Sequence, residues 1–449
     1  MVSPTSPFVA QTWAPLVTDG LPRRFTRAGI YRAYVPEVLT GRAISLQPQT
    51  LALVDEAHAL ALTAVEQVRH GGLGQIGDLL VRSEASASSL IEGYEPTAKA
   101  VALADFVERG RSPAVTVARN LRAVRKSLTR STDPSLALVA EVCELHTLIT
   151  PGSAGLRQQP VWIGGATPLD AHYNAPPHEQ VRPLLDDLET YLAARTHHAV
   201  IAGALAHAQF ETIHPFTDGN GRAGRVLLGI VLSQYGLTPD VALPISSELF
   251  RDRQRYYTAL DAYRHGDDDT IVAVIADAVC VAAQESVRLT RDVAGWQRQH
   301  LESLTAHLAA RSATGRVRRG AAHQILEALP GTPVLDVSHV AATLGLSDNA
   351  ARNALEVLAD VGVLHRDRKT DRTKTVYVAS ELLALVGTPV PARRTPSDGD
   401  VDDTVTGLDE PLPELGLCGA WLPRAGAACA LPAGHRGQHR PAAGINRSR

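Results

Sequence analysis

Apolar residues recur three and four positions apart along most of this chain, which predicts a mainly helical fold. From Gln49 to about His70, Leu51, Leu53, Val54, Ala57, Leu60, Ala61 and Val65 follow helical spacing. A second helix runs through Leu79, Leu80 and Val81 to Ile91 and stops at Gly93. Its end, from Arg82 to Gly93, holds several serines, which are middling helix formers and call for a further reason. Helices are also predicted over residues 97–109, 112–130, 134–149, 178–195, 198–213, 226–235, 246–265 and 267–310. Residues 1–50 are punctuated by proline and read as irregular, with an extended piece around Tyr31, Tyr34 and Pro36. Residues 151–180 break the helical pattern with glycine and proline, and Pro160 to Gly165 reads as a short strand entering a turn.

Beyond Arg318 the elements shorten. Helices over 320–329, 336–344 and 349–360, then extended pieces at 361–364 and 375–378, suggest a winged helix-turn-helix. Residues 388–416 carry Pro, Asp, Gly and Thr with little apolar content and read as a disordered linker.

Composition narrows the class. The chain has 449 residues, enough for two or three domains; 45% are hydrophobic but only 4% aromatic, so Ala, Leu and Val must supply most of the core. The net charge of −3 excludes a polycation, so any nucleic-acid contact would need a local patch. Four dispersed cysteines give no disulfide framework; Cys143 and Cys280 lie in apolar helices and read as packing residues. The first residues lack a signal-peptide pattern, and no uncharged apolar run reaches the ~20 residues of a bilayer span. A cytoplasmic protein without a membrane partner is expected.

The densest chemistry lies in residues 214–225, His-Pro-Phe-Thr-Asp-Gly-Asn-Gly-Arg-Ala-Gly-Arg. Asp218-Gly219-Asn220-Gly221 is a turn that opens a helix, so its backbone N–H groups and the helix dipole make an anion cradle. Arg222 and Arg225, three apart on the first turn, can grip phosphate oxygens bidentately. Asp218 would repel phosphates unless a cation intervenes, which makes it a Mg²⁺ ligand candidate. His214 can accept a hydroxyl proton near neutral pH. Phe210, Ile213 and Phe216 read as core anchors.

These twelve residues resemble the core motif of the Fic family, H-P-F-x-D/E-G-N-G-R-x-x-R, at every fixed position. The resemblance extends over roughly residues 25–290. It implies a mostly α fold: a Fic helical core with a small β-hairpin flap. It also implies ATP and Mg²⁺ as reactants and transfer of AMP to a Tyr, Thr or Ser hydroxyl of a target protein. His214 would take the hydroxyl proton, and Asp218 would hold Mg²⁺. Gly219, Asn220 and Gly221 would form the anion hole, with Asn220 near the α-phosphate. Arg222 would neutralise the leaving charge and Arg225 would meet the γ-phosphate. Members that transfer phosphate carry Lys where this chain has Gly221. Val161 to Gly165 matches the flap: Ile163 lies in an edge strand that aligns a target segment, and Gly164 and Gly165 allow approach to ATP. Tyr256 and Tyr257 resemble the adenine-side pair. Arg264 stands where many members have Asn.

Ser88-Ser89-Leu90-Ile91-Glu92-Gly93 fits the family's inhibitory pattern, S/T-x-x-x-E-G/N. It implies that Glu92 pairs with Arg225 and denies it to the γ-phosphate, while Ser88 steadies the helix end. The same Glu supports AMP removal in some members.

At the C-terminus, Asn349, Arg352 and Asn353 on the presumed recognition helix, and a wing with Arg366, Arg368, Lys369, Arg372 and Lys374, suit either DNA or a protein contact. Cys418, Cys429, His435 and His439 have ligand types for tetrahedral Zn²⁺, the alternative being a disordered tail. The domains expected are an N-terminal helical region with the inhibitory helix (1–110), a Fic core (111–310), a winged helix (318–387), a linker (388–416) and a zinc-binding tail (417–449). The competing function is a DNA-binding regulator with the Fic core as sensor. A homodimer is an expectation from the resemblance alone.

Overall fold

A computed structural model describes residues 7–15, 27–71, 73–107, 112–131, 133, 135–153, 155–311, 320–368 and 374–387, together with the backbone of two short strands, β8 (Trp421–Leu422) and β9 (Ala427–Ala428). Cys418, Cys429, His435, His439 and the 388–416 linker lie outside the described residues, as do Lys369 and Arg372 of the wing.

Two long helices form the spine. α1 (Pro48–His70) starts on a proline, which suits the first turn because no N–H is needed there. It lies along α11 (Asp268–Ala310) and meets it through Val54, Ala57, Ala61 and Val65. Asp267 caps α11 through the Thr270 N–H, and Asp269 takes the Gln47 N–H and the Thr50 hydroxyl of α1. Among the described residues α11 alone is long and apolar enough to cross a membrane, but 61% of its most apolar stretch is buried inside the protein.

Between these helices and the flap stand α7 (Ala199–Ile213) and α8 (Asn220–Gln234). Every residue of α7 is buried, and many are alanines, so partners approach closely. At Gly203 a Cβ would lie 2.8 Å from Leu228 Cδ1, so the glycine lets α8 approach closely and a larger residue would push Leu228 aside. α2 (Leu73–Ile91), α4 (Pro113–Arg130), α5 (Leu138–Ile149) and α6 (His178–Ala194) pack around this pair, and α3 (Ala98–Val107) packs on α4. The predicted helix over 246–265 is two helices, α9 (Ile245–Arg251) and α10 (Arg253–Arg264), because Asp252 leaves helical geometry and its carboxylate caps the Arg255 N–H. The helix expected from Val226 begins earlier, at Asn220, directly after the left-handed Gly219.

The N-terminal region is more ordered than its prolines suggest. β1 (Phe8–Trp13) pairs antiparallel with β2 (Gly29–Tyr34), Phe8 facing Tyr34 and Trp13 facing Gly29. This ribbon reaches the flap hairpin, β3 (Trp162–Ile163) and β4 (Tyr173–Asn174), through Trp13 on Trp162 and Tyr34 on Tyr173.

The C-terminal unit runs α12 (Ala321–Ala328), β5 (Val334–Leu335), α13 (Val337–Leu344), α14 (Asp348–Asp360), β6 (His365–Asp367), β7 (Val376–Val378) and α15 (Ser380–Leu385), with strand order β5-β7-β6. The extended piece expected at 361–364 is a turn instead. Gly362 is left-handed and Val363 and Leu364 drop into the core, so pairing begins at His365.

Candidate active site

The polar twelve-residue segment is the turn between the two central helices. α7 ends at His214, whose φ of 52° places a non-glycine residue in the left-handed region, a conformation that needs surrounding support. Arg157 supplies it. Only 3% exposed, it donates from Nε to the His214 carbonyl (2.8 Å) and from Nη2 to the Ile213 (3.3 Å) and Pro176 (2.6 Å) carbonyls, while Nη1 reaches Gln159 O (3.2 Å). One guanidinium thus ties the catalytic turn to the base of the flap.

His214 donates from Nδ1 to the Glu211 carbonyl at 3.3 Å, which leaves the Nε2 lone pair as the acceptor. Burial, with Arg157 and Arg264 nearby, pushes its pKa down to about 4, so the ring is a neutral base at pH 7.

The loop is braced from within. Asn220 accepts the Phe216 N–H on Oδ1 (2.8 Å) and donates from Nδ2 to the Phe216 carbonyl (2.9 Å). Its side chain therefore holds the turn rather than reaching for a phosphate, and what the residue offers an anion is its backbone. His146 stacks on Phe216 at 3.6 Å and bonds the Asp218 carbonyl through Nε2 (2.8 Å).

Arg222 is 1% exposed, and its Nε and Nη1 have no hydrogen-bond partner among the described residues. Tyr94 lies under the guanidinium at 5.3 Å, and Asp218 Oδ1 is 3.7 Å from Nη2. Two buried, unpartnered N–H donors beside a helix N-terminus fit a polyphosphate anion. The Asp218 side chain keeps 24% exposure. Among the described residues no group of three or more His, Cys, Asp or Glu gathers around a metal position. That fits Mg²⁺, which takes few carboxylates and completes its shell with phosphate oxygens and water.

Arg225 faces α2. Its Nε donates to Ser88 Oγ (2.9 Å), and its Nη2 to the Ser88 carbonyl (2.7 Å) and to Glu92 Oε1 (2.8 Å). Partial burial pulls the Glu92 pKa up, but Arg225, with Arg222 and His214 behind it, holds the carboxyl below the usual range. The same oxygen sits over the first turn of α8: a Cβ on Gly221 would lie 2.1 Å from it. Two of the four serines of α2 are thereby accounted for. Ser88 holds Arg225, while Ser89 bonds Ala85 O and receives Asn120 Nδ2.

Two residues behind Arg225 escaped the sequence reading. Glu211 and His207, one turn apart on α7, press against Gly224, where a Cβ would lie 2.6 Å from Glu211 Oε1. Burial raises the Glu211 pKa to about 7 and lowers that of His207 to about 3. His207 Nε2 meets the hydroxyl of Tyr256 at 2.8 Å. Tyr256 is 1% exposed, its hydroxyl taken up by His207; Tyr257 remains 36% exposed and reaches the Ile91 carbonyl at 3.3 Å.

In the flap, Ile163 pairs with Tyr173 and is 38% exposed. Gly164 and Gly165 are left-handed, and a Cβ on Gly165 would lie 2.4 Å from the Asp170 carbonyl, so the turn admits no side chain there. Arg264 spreads over the Tyr173 ring at 3.9 Å and pairs with Asp261 at 2.8 Å, fastening the flap to α10.

Residues 137–232 match the profile of the Fic/DOC family. This segment is similar to Fic domains. The Caenorhabditis elegans protein adenylyltransferase fic-1 is 31% identical over 143 residues, 31% of this chain and 26% of that protein. A probable protein adenylyltransferase of Aquifex aeolicus is 37% identical over 105 residues, 23% of this chain and 29% of its own. This chain therefore spans only about a quarter of the length of the curated relatives it matches. A solved Fic family protein from Desulfovibrio desulfuricans has 21% identity and a TM-score of 0.45, covering 75% of this chain and 97% of its own. Helix α2, with Ser88 and Glu92, lies outside the segment that matches the Fic profile.

Proposed function

We propose that this protein transfers AMP from ATP to a hydroxyl group of a protein, and that Glu92 holds the reaction off. The observation that carries the reading is the juxtaposition of a neutral His214 with the partnerless donors of Arg222 across one helix-opening turn. His214 Nε2 takes the proton of the target hydroxyl. The oxygen attacks the α-phosphorus, the bond from that phosphorus to the bridging oxygen breaks, and pyrophosphate leaves. Arg222 meets the charge that develops on the leaving group. Asp218 is the residue placed to hold Mg²⁺, which would offset the negative charge of the phosphates. The free edge of β3 is suited to align an extended target segment by backbone pairing.

Arg225 cannot meet a terminal phosphate while Ser88 and Glu92 engage it. The Glu92 carboxylate also lies over Gly221, in the region an anion would enter. Both features support autoinhibition through one ion pair.

The surface of the C-terminal unit does not favour duplex binding. Asp348, Arg352, Glu356 and Asp360 fall four apart along α14, three acids against one base. Arg366 is drawn to Glu356 and Asp360, and Lys374 to Asp336 at 3.5 Å. Nucleic-acid binding draws on free cations, and among the described residues these two are held by acids. A protein-contact role for this winged-helix arrangement is the better fit.

The test uses ATP labelled at either end. Label from the α-phosphate that stays on protein, with none from the γ-phosphate, supports AMP transfer; retention of the γ-label instead would replace it with phosphate transfer.

A further inference from the structure

We infer that the C-terminal unit keeps the Glu92 latch closed by packing on helix α3. The inference rests on the proposed role of the Glu92–Arg225 pair and adds what sets its position. α3 follows the latch after only a few residues, and adjacent positions on it belong to different parts of the molecule. On one face Ala102, 1% exposed, joins Val334, Val376, Val378 and Leu383 of the C-terminal unit in a separate apolar cluster, with Phe106 packed against it. Lys99 pairs with Asp367 at 3.5 Å, and Phe106 meets His339 edge-on. On the flank beside this cluster, one turn from Ala102, Asp105 binds Arg82 of the latch helix at 3.1 Å and Arg122 of α4 at 3.2 Å.

The connection from α3 to the latch is short and tied down. Gly93 is left-handed, the Gly93 N–H bonds the Leu90 carbonyl (2.9 Å), and the Tyr94 N–H bonds the Ser89 carbonyl (3.0 Å). Tyr94 then lies under Arg222, one helical turn from Arg225. A small cavity closes the circuit: Ser86, Leu90 and Tyr94 of the latch region, Pro96 of the connection, and Val386 and Gly387 at the end of the C-terminal unit line it together. A shift of the unit therefore moves α3 and the wall of the latch at once. A short helix held by packing and, on the flank beside it, by ion pairs transmits displacement, because packed cores have discrete arrangements and do not deform smoothly.

The full-length protein tests this with two seam variants. Ala102→Arg forces a charge into the apolar cluster, and Lys99→Glu sets like charges against Asp367 at an exposed edge. Thermal melting checks that both fold. Two readouts are followed: amide hydrogen exchange at residues 88–94, and AMP incorporated from ATP labelled at the α-phosphate. Both variants should speed exchange at 88–94 and raise incorporation by roughly two- to thirtyfold. Adding Asp367→Lys to Lys99→Glu should return both readouts toward wild type, and neither seam variant should add to Glu92→Gly. Exchange at the wild-type rate in both seam variants overturns the coupling, whatever the labelling. Faster exchange with no incorporation even in Glu92→Gly would leave the coupling standing and reject AMP transfer.

Discussion

Glu92 Oε1 lies 2.8 Å from Arg225 Nη2 and against the Cα of Gly221, so one carboxylate both neutralises a buried guanidinium and covers the turn that opens α8. The absence of a side chain at 221 is thereby linked to a residue over a hundred positions upstream. Gly221→Ala would drive a methyl group into that carboxylate. We expect it to destabilise the protein by about 1–3 kcal/mol. In a Glu92→Gly background the collision is gone, and the same change should be neutral or stabilising by up to about 1 kcal/mol, as alanine is the better helix former. Denaturant unfolding of the four proteins in this cycle measures the difference, and equal effects in both backgrounds would contradict the geometry.

The second expectation concerns pH. His214 serves as a base only when neutral, and its pKa is pushed down to about 4. The acid limb of AMP transfer by the Glu92→Gly protein should therefore lie near that value and not near the ordinary histidine range. Removing Glu92 removes a group that raises the His214 pKa, so the variant moves the limb further toward acid. A rate that halves near pH 6.5 would show that His214 is not held as described.

Glu211 offers a stability test with a defined sign. Its folded-state pKa is raised from an ordinary 4.5 to about 7, so the folded protein binds this proton more tightly than the unfolded chain. The associated stability is present below the ordinary value and is lost as pH rises through the window up to about 7. Glu211→Gln cannot ionise. Its stability relative to wild type should therefore improve between pH 5 and pH 8, by up to about 3 kcal/mol. A difference that does not change with pH would mean that Glu211 is already ionised in the folded protein.

Arg157 carries the fourth. Lysine at this position keeps the charge but cannot reach the carbonyls of Gln159, Pro176, Ile213 and His214 together. Arg157→Lys should cost on the order of 3 kcal/mol in stability. It should also lower the turnover of the Glu92→Gly protein more than its affinity for ATP, because the left-handed His214 loses its brace. Wild-type turnover in that protein would confine Arg157 to the flap.

How much of this could be read beforehand follows from the range of each interaction. Most helices around the site, the turn at residues 214–225 and the first strand of the flap are local patterns that spacing predicts, whereas the flap as a unit was expected through resemblance. The pairing of Glu92 with Arg225 was expected through resemblance, since nothing in the residues near either one names the other. Arg157 gave no sign: a single arginine in a loop rich in glycine and proline has no periodicity, and its role arises only when the flap base meets the end of α7. Glu211 and His207 looked like ordinary polar positions of a helix, and only the packing of α7 on all sides, with Gly224 close against both, buries them. Tyr256 is buried. Its neighbour Tyr257 is exposed, and the motif does not say which of the two faces outward. The β1–β2 ribbon was hidden because proline marks turns without excluding strands between them.

The central claim is that His214 catalyses AMP transfer and that Glu92 restrains it. Three full-length proteins, wild type, Glu92→Gly and Glu92→Gly with His214→Ala, incubated with Mg²⁺ and ATP labelled at the α-phosphate, test it most directly. We predict incorporation about 5- to 150-fold higher in Glu92→Gly than in wild type, and a fall of about 10²- to 10⁴-fold on adding His214→Ala. Equal incorporation by wild type and Glu92→Gly, or undiminished incorporation without His214, would contradict the account.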